Sequence, residues 1–448
     1  MVGHPETRTP MITAIPRSLA RAGIGLTILS LLALPLGASA ADKIRIGFLY
    51  DLTGPFAGAG ARPAKVGTEI AVEMINAKGG VLGKYPVEAV FGDPQSSADV
   101  AINEAERLLN SEKVDLLAGV YSSAHAVPLA GRIDSQKKFF WITVAISSAV
   151  FKDQNRTYVF RPQVHGDQFG ELSVRFLSEV SEKRLGIPPA QLKLAILYED
   201  GPYGSNVAAA NETAAKTHGM QIVLREGYSA TLPDLSSLVI KLKRARPDVI
   251  LHTGYNPDIT LFLRQAKELG LRFKALIGHG AGYAQLDKLL ETFGPDIDYV
   301  FNVDPVPAQL LDPKTLAPGL GELAQRMVER YRAITGAQDV PSHVSMGFNN
   351  TWILLTELLP VAINKYGGWN PEALRKAALD LDIPAGGTIQ GYGVKFAPPG
   401  HSMAGQNLRA SPVVMQYVKG KVYIAYPTAL RTIDPVIPLP PDSPYAAR

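Results

Sequence analysis

The chain has 448 residues, of which 46% are hydrophobic and 19% are charged, a composition typical of a globular protein. Its formal net charge of +4 is too small to indicate a nucleic-acid partner. The sequence contains no cysteine, which excludes disulfides, thiolate metal ligands, a cysteine nucleophile and a lipid-modified cysteine behind a leader.

The N-terminal segment has the three parts of a secretory signal peptide. A basic region precedes a short apolar run and a small-x-small cleavage site, which are Arg8, Arg17 and Arg21, then residues 23–36, then Ala38-Ser39-Ala40. The apolar run is too short to serve comfortably as a membrane anchor. We therefore predict that residues 1–40 are a signal peptide and that a soluble mature chain begins at Ala41.

The rest of the chain alternates short β-rich runs with amphipathic helical stretches. Its length exceeds what one hydrophobic core usually serves, so we expect two domains. The first series of strands is predicted at residues 44–50, 87–91, 114–117 and 139–143. A helix with Val66, Ile70, Met74 and Ile75 on one face follows the first strand and ends at Gly79-Gly80. This order predicts a parallel sheet with helices on both faces.

A second series of strands is predicted at residues 194–198, 221–224, 248–253 and 275–278. Residues 158–163 and 299–304 read as crossovers between the two series, and residues 413–424 read as a hairpin of the second. We assign residues 41–161 and 305–383 to an N-terminal lobe and residues 162–304 and 384–430 to a C-terminal lobe. Residues 431–448 form a proline-rich tail with little to bury.

Ligands of open parallel sheets bind beyond the carboxyl ends of the strands, so the loops there are the candidate site. They contain small hydroxyls, aromatic rings and one imidazole, namely Ser122, Ser123, Ser147, Ser148, Tyr121, Tyr203, Tyr255 and His279. Hydroxyls and amides at helix N-termini suit a carboxylate, and tyrosines suit an apolar body. The alternatives are helix capping for the serines and packing at strand ends for the tyrosines.

Six stretches of these loops resemble, in order and spacing, the leucine/isoleucine/valine-binding proteins of the type I periplasmic-binding family. They are IRIGFLYDLTGPFAGAG, INAKGGVLG, AGVYSSAHAVPLAG, YEDGPYGSNVA, LHTGYNPDITLFLRQAKELG and IGHGAGYAQL, and the resemblance runs from Lys43 to about Ile424. It implies an α/β fold of two Rossmann-like, doubly wound lobes joined by three crossovers, with the ligand trapped between them. It also implies a periplasmic solute-binding component of an ABC importer, whose partners are an inner-membrane permease with its ATPases.

The resemblance also places the family's binding residues on this chain. The carboxylate-binding loop corresponds to Tyr121-Ser122-Ser123, with Ser122 as the hydroxyl donor. The neighbouring loop, which supplies backbone groups and a hydroxyl, corresponds to Ala145-Ile146-Ser147-Ser148. The aromatic residues that cover the ligand correspond to Tyr203 and Tyr255.

One position departs from the family pattern. The glutamate that takes the ligand's ammonium corresponds to Gly280, and between Asp258 and Asp287 the only acid is Glu268, within a helix. A buried ammonium without a carboxylate partner is costly. The expected ligand is therefore a small hydrophobic carboxylate, either of the branched-chain amino-acid type or a non-amino analogue such as an aromatic acid or a 2-oxo acid. Glu199 and Asp200 are the candidates to replace the missing acid.

No catalytic constellation is visible in the sequence. The eight histidines lack metal-ligand spacing, and there is no G-x-S-x-G elbow or phosphate loop. Residues 278–282 imitate a dinucleotide fingerprint but read as a tight turn, in which His279 is either a ligand donor or a hydrogen-bonded loop residue. We expect no enzymatic activity, no cofactor, no metal and a monomer. The alternative function is a periplasmic sensor that presents its ligand to a membrane receptor.

Overall fold

The computed structural model describes residues 42–447, and the predicted signal peptide lies outside them. The first sheet has five parallel strands in the order β2-β1-β3-β4-β5, which are β1 (Ile44–Leu49), β2 (Val87–Gly92), β3 (Leu116–Gly119), β4 (Phe140–Ile142) and β5 (Val159–Phe160). The helices that connect them are α1 (Arg62–Asn76), α2 (Ala98–Glu106) and α3 (Ser123–Ser135). No helix of the described part is both long and apolar enough to cross a membrane.

The second sheet has seven strands in the order β12-β11-β10-β9-β8-β6-β7. Its parallel strands are β6 (Lys193–Glu199), β7 (Gln221–Tyr228), β8 (Val249–Thr253), β9 (Ala275–His279) and β10 (Phe301–Asp304). The hairpin of β11 (Val413–Val418) and β12 (Lys421–Tyr426) adds antiparallel strands beside β10. The helices of this lobe are α4 (Gly166–Val180), α5 (Pro202–Thr217), α6 (Ser236–Ala245), α7 (Asn256–Glu268) and α8 (Leu286–Phe293).

Beyond β10 the chain packs against the first sheet again. Its helices are α9 (Leu320–Thr335), α10 (Ser342–Ile353), α11 (Leu359–Tyr366) and α12 (Pro371–Asp380). Nε1 of Trp141, in β4, donates to the carbonyl of Asn350 in α10 at 2.8 Å, and the hydroxyls of Thr68 and Thr351 lie 3.1 Å apart. Buried polar bonds therefore fix the position of α10 against α1 and the sheet.

Residues 299–304, read from the sequence as a crossover, contain the interior strand β10. This strand pairs with β9 on one side and with β11 on the other, and its four residues are buried. The partner strand β11 lies more than a hundred residues later, so a local pattern did not reveal the pairing. Asp304 consequently lies at the carboxyl end of a parallel strand, where sites of such sheets occur.

Three chain connections join the two lobes of the type I periplasmic-binding fold, and side-chain hydrogen bonds link them. The first connection leaves β5 at Arg161, whose Nε donates to Oε1 of Gln406 in the third at 2.6 Å. Gln390 of the third connection donates from Nε2 to the carbonyl of Val306 in the second at 3.0 Å. The three connections therefore form one bonded hinge region.

The prediction that the proline-rich tail has little to bury is wrong. Ile437, Leu439 and Tyr445 are buried, and the Tyr445 ring stacks on Phe273 with 5.5 Å between ring centroids. The tail also bonds to the second lobe through its backbone, since the Leu439 amide donates to the carbonyl of Lys274 at 2.8 Å. Apolar side chains between the prolines anchor an extended segment without secondary structure of its own.

Candidate ligand-binding site

A cavity of about 330 Å³ lies between the two lobes, beside the carboxyl ends of both sets of parallel strands. From the first lobe it is lined by Tyr121, Ser123, Val144, Ile146, His343 and Met346. From the second lobe it is lined by Phe169, Tyr203, Tyr255, Gly280, Ala281 and Asp304. The volume of about 330 Å³ includes space that is open to solvent. The cavity lies where ligands of parallel sheets bind, beyond the carboxyl ends of the strands.

Side chains of the two lobes meet across the cavity. The ring of Tyr255 lies 4.4 Å from that of Phe56 between centroids, and its hydroxyl is 3.5 Å from Oγ of Ser122. Nε2 of Gln285 lies 3.2 Å from Nδ1 of His343, which belongs to α10. The structure therefore has a closed arrangement of the lobes.

The loop before α3 brings Tyr121 and Ser123 to the cavity wall. Ser122 caps α3, because its Oγ accepts from the amide of Ala124 at 3.2 Å, and its side chain is not part of the wall. Oγ of Ser123 accepts from the amide of Ser147 at 3.1 Å. The Tyr121 hydroxyl is buried and has no hydrogen-bond partner among residues 42–447. The wall on this side thus offers hydroxyls beside the N-terminus of a helix.

In the loop after β4 it is the apolar residues that face the cavity. Val144 and Ile146 line it, whereas the carbonyls of Ala145 and Ser147 point to Arg161, which donates to them at 3.0 and 2.9 Å. Ser147 and Ser148 are engaged behind the wall. Oγ of Ser147 accepts from Ala149 at 3.3 Å, and Oγ of Ser148 lies 3.2 Å from Nδ1 of His165.

Val144 and Ile146 were missed from the sequence although a signal was present. In an extended segment alternate side chains point to opposite sides. The apolar positions 144 and 146 share one side, and positions 145 and 147 share the other. The alternation turns the hydroxyl of Ser147 away from the cavity, and Ser148 begins a short helical turn in which its hydroxyl lies beside His165.

Tyr203 and Tyr255 both line the cavity, with 5.5 Å between their ring centroids. The Tyr203 hydroxyl donates to the carbonyl of His279. Burial raises the pKa of both phenols, and of Tyr121, well above the ordinary value. All three hydroxyls are therefore neutral at physiological pH.

The imidazole of His279 lies in the core behind the wall. Its Nδ1 is 2.9 Å from Oγ1 of Thr253, and its Nε2 is 3.3 Å from Oγ of Ser173. Burial lowers its pKa to about 4, so the ring is neutral. Of the two readings made from the sequence, the hydrogen-bonded loop histidine agrees with this position. Gly280, the next residue, does lie on the cavity wall.

Asp304 is the acid that the sequence analysis missed. It is 2% exposed, lines the cavity at the end of β10 and accepts a hydrogen bond from the hydroxyl of Ser342. Burial raises its pKa to about 8. From the sequence, acids were sought only in the loop around Gly280 and at Glu199 and Asp200, whereas Asp304 lies on the strand beside that loop.

Glu199 and Asp200, the two candidates from the sequence, lie away from the cavity wall. Glu199 accepts from the amide of Gly201 at 2.7 Å and from that of Gly204 at 2.5 Å, at the start of α5, and Asp200 is exposed. Neither lines the cavity. Within residues 42–447 there is also no cluster of three or more histidine, aspartate or glutamate side chains arranged to hold a metal ion.

The fold and the interlobe cavity define a two-lobed solute-binding protein. The chain belongs to the periplasmic binding protein family, whose model matches residues 43–411. It is 36% identical over 406 residues to the Leu/Ile/Val-binding protein homolog 7 of Brucella suis, covering 90% of this chain and 96% of that protein. Proteins of this family are periplasmic, bind small ligands and work with ABC-transporter permeases and ATPases.

Solved structures share the fold at lower identity. The leucine binding protein LivK of Thermotoga maritima is 21% identical, with a TM-score of 0.69 over 85% of this chain and 97% of that one. A solute-binding protein of an ABC transporter from R. palustris, in complex with benzoate, is 15% identical, with a TM-score of 0.68 over 85% and 95%. The first is thus a leucine-binding protein, whereas benzoate, the ligand in the second structure, has no amine.

Proposed function

We propose that this protein is the soluble periplasmic receptor of an ABC importer and that it closes around one small hydrophobic carboxylate in the interlobe cavity. The observation that carries the proposal is the composition of the cavity wall. Tyr121 and Ser123, which carry hydroxyls, line the cavity from the first lobe, and most of the remaining wall is apolar or aromatic. Such a surface pairs an oriented polar end with a hydrophobic body.

In this proposal the carboxylate of the ligand lies at the loop before α3. The N-terminus of this helix favours an anion through its dipole. The unpartnered Tyr121 hydroxyl is a second, independent donor. The apolar body lies against Val144, Ile146 and Met346, of which methionine adapts to different shapes.

Delivery to a permease requires export and release in the periplasm. We expect cleavage after Ala40, so the mature protein begins at Ala41 and is recovered as a soluble monomer. Mass spectrometry of the periplasmic fraction checks this processing. Recovery in the membrane fraction with the signal peptide, residues 1–40, still attached contradicts it.

The central test is ligand-dependent thermal stabilisation with a panel of hydrophobic amino acids and aromatic, 2-oxo and aliphatic carboxylates. A binding protein is stabilised by its ligand and returns it unchanged. Ser123→Ala should weaken the response, whereas Ser178→Ala, on the outer face of α4, should not. Consumption of the ligand, or stabilisation by uncharged solutes only, contradicts the proposal.

A further inference from the structure

Asp304 is an acid enclosed in the cavity without a protein cation. Among residues 42–447 its one hydrogen-bond partner is the hydroxyl of Ser342, which contacts Oδ2, and no lysine, arginine or histidine forms an ion pair with it. An ionised carboxylate in such surroundings is costly unless it is paired. A cation that pairs with Asp304 would have to come from the other titratable groups around it.

The titratable groups packed around Asp304 do not provide one. Tyr121, Tyr203 and Tyr417 are close enough to interact electrostatically with Asp304, and burial raises the pKa of each of these phenols well above its ordinary value. The imidazole of His343, one residue after Ser342, has its pKa lowered to about 3 by burial. All of these groups are neutral at pH 7, so the positive charge that would complete the site is absent from its wall.

The free carboxylate oxygen of Asp304 lies beside Gly280, where a side chain would crowd it. Gly280 has φ of +42°, and a Cβ atom at this position would lie 3.1 Å from Cε2 of Phe169, 3.2 Å from Oδ1 of Asp304 and 3.4 Å from the Tyr203 hydroxyl. Because Tyr203 donates its proton to the carbonyl of His279, its oxygen lone pairs remain available to accept. Two acceptors thus lie around the same small space at Gly280.

We propose that Asp304 receives the α-ammonium group of the ligand, so that the cavity selects amino acids over carboxylates that lack an amine. The ammonium lies beside Gly280, where Oδ1 of Asp304 and the Tyr203 oxygen accept from it. This inference rests on the proposed function, in which the same cavity holds the ligand's carboxylate at the loop before α3. The ammonium-binding acid of the family lies in the loop after β9, whereas in this protein it would lie at the end of β10.

Calorimetric titration with matched ligand pairs tests the selection. The pairs are leucine with 4-methylpentanoate and phenylalanine with 3-phenylpropanoate, and the proteins are wild type, Asp304→Asn and Asp287→Asn, the last replacing an exposed acid of α8. Wild type and Asp287→Asn should bind the amino acid roughly tenfold or more tightly than its amine-free partner, as a charged hydrogen bond predicts. Asp304→Asn should lose this preference and keep its affinity for the amine-free acids.

Two results separate the failure of this inference from that of the proposed function. If wild type binds the amine-free acids as tightly as the amino acids, or if Asp304→Asn leaves the preference unchanged, Asp304 does not receive the ammonium, although the cavity still binds carboxylates. If no member of either pair binds, while uncharged solutes do, both proposals fail. Thermal unfolding of Asp304→Asn without ligand establishes that the variant is folded.

A measurement on the wild type alone removes any dependence on the variant. Since the pKa of Asp304 is raised to about 8 without ligand, its carboxyl is mostly protonated at pH 7. An ammonium beside it favours the carboxylate, so binding of an amino acid should release about one proton. Titrations in phosphate and in Tris, whose ionisation enthalpies differ, measure this release. An amine-free acid should release none, and equal release by both ligands overturns the inference.

Discussion

Arg161 and Gln406 form a buried hydrogen bond, 2.6 Å from Nε to Oε1, that joins the first and third connections between the lobes. Nη1 of Arg161 also donates to the carbonyls of Ala145 and Ser147. Burial lowers the pKa of Arg161 to about 9, so the guanidinium remains charged at neutral pH. One buried cation therefore holds both the hinge and the loop after β4.

Replacing this cation should destabilise the whole fold. Arg161→Met leaves Oε1 of Gln406 and two carbonyls without their donor, and we expect the free energy of unfolding to fall by about 2–5 kcal/mol. Urea unfolding at pH 7 measures it. Arg132→Met, which removes an exposed guanidinium paired with Glu106, is the matched control and should change stability far less. Equal losses in the two variants would show that Arg161 does not hold the hinge.

The Tyr121 hydroxyl should matter for binding and not for folding. Because it has no partner within the described part of the chain, Tyr121→Phe should leave the stability without ligand unchanged or slightly raised, and should weaken carboxylate binding by roughly tenfold. Tyr392→Phe should instead lower the stability and leave carboxylate binding unchanged, because the Tyr392 hydroxyl bonds to Asn349 and Gln390 away from the cavity. Thermal unfolding and calorimetry on both variants check the contrast. A stability loss in Tyr121→Phe as large as in Tyr392→Phe contradicts it.

Ligand binding should make the protein more compact. The contacts of Tyr255 with Phe56 and Ser122 span the two lobes, so opening breaks them while leaving each sheet intact. Small-angle scattering should give a smaller radius of gyration with saturating ligand, and circular dichroism should give an unchanged helix content, as hinge closure requires. A panel compound that calorimetry finds not to bind serves as the control. An unchanged scattering curve with a bound ligand counts against the hinge.

The stability of the ligand-free protein should fall as the pH rises, in part because of the buried carboxyl of Asp304. Its pKa is raised to about 8 in the folded state, above the value of an unfolded aspartate, so the folded state retains a proton that the unfolded state releases. The stability is therefore full at low pH and declines until the folded carboxyl also ionises, near pH 8. Asp304→Asn lacks the contribution of this carboxyl to the decline. The free energy of unfolding of Asp304→Asn, relative to that of wild type, should therefore rise from pH 5 to pH 8.

Urea unfolding of the ligand-free proteins at these two pH values measures that difference. Asp51 and Asp258, whose pKa values burial also raises to about 7, contribute equally to both proteins and cancel in the comparison. A difference between Asp304→Asn and wild type that stays constant with pH would contradict the prediction.

The sequence by itself determined the fold and the region of the site. Hydrophobic periodicity and turn residues are local, and they located β1 to β4 and β6 to β9 within a few residues, whereas the short strand β5 fell in a segment read as a crossover. The rule that sites of parallel sheets lie at the strands' carboxyl ends then led to Tyr121, Tyr203 and Tyr255, all of which line the interlobe cavity, the first from one lobe and the other two from the facing lobe. A large aromatic side chain at the carboxyl end of such a strand either covers the cleft or packs beside it.

Only the tertiary structure decided which of the neighbouring groups face the cavity. Ser147 and Ser148 turn away because Arg161, from a later segment, draws the backbone of their loop toward itself. Asp304 becomes a cavity residue because β11 pairs with β10 and makes an interior strand of a segment that looked like a connection. Side-chain direction and strand pairing depend on contacts between residues distant in the chain, and a local sequence pattern does not contain that information.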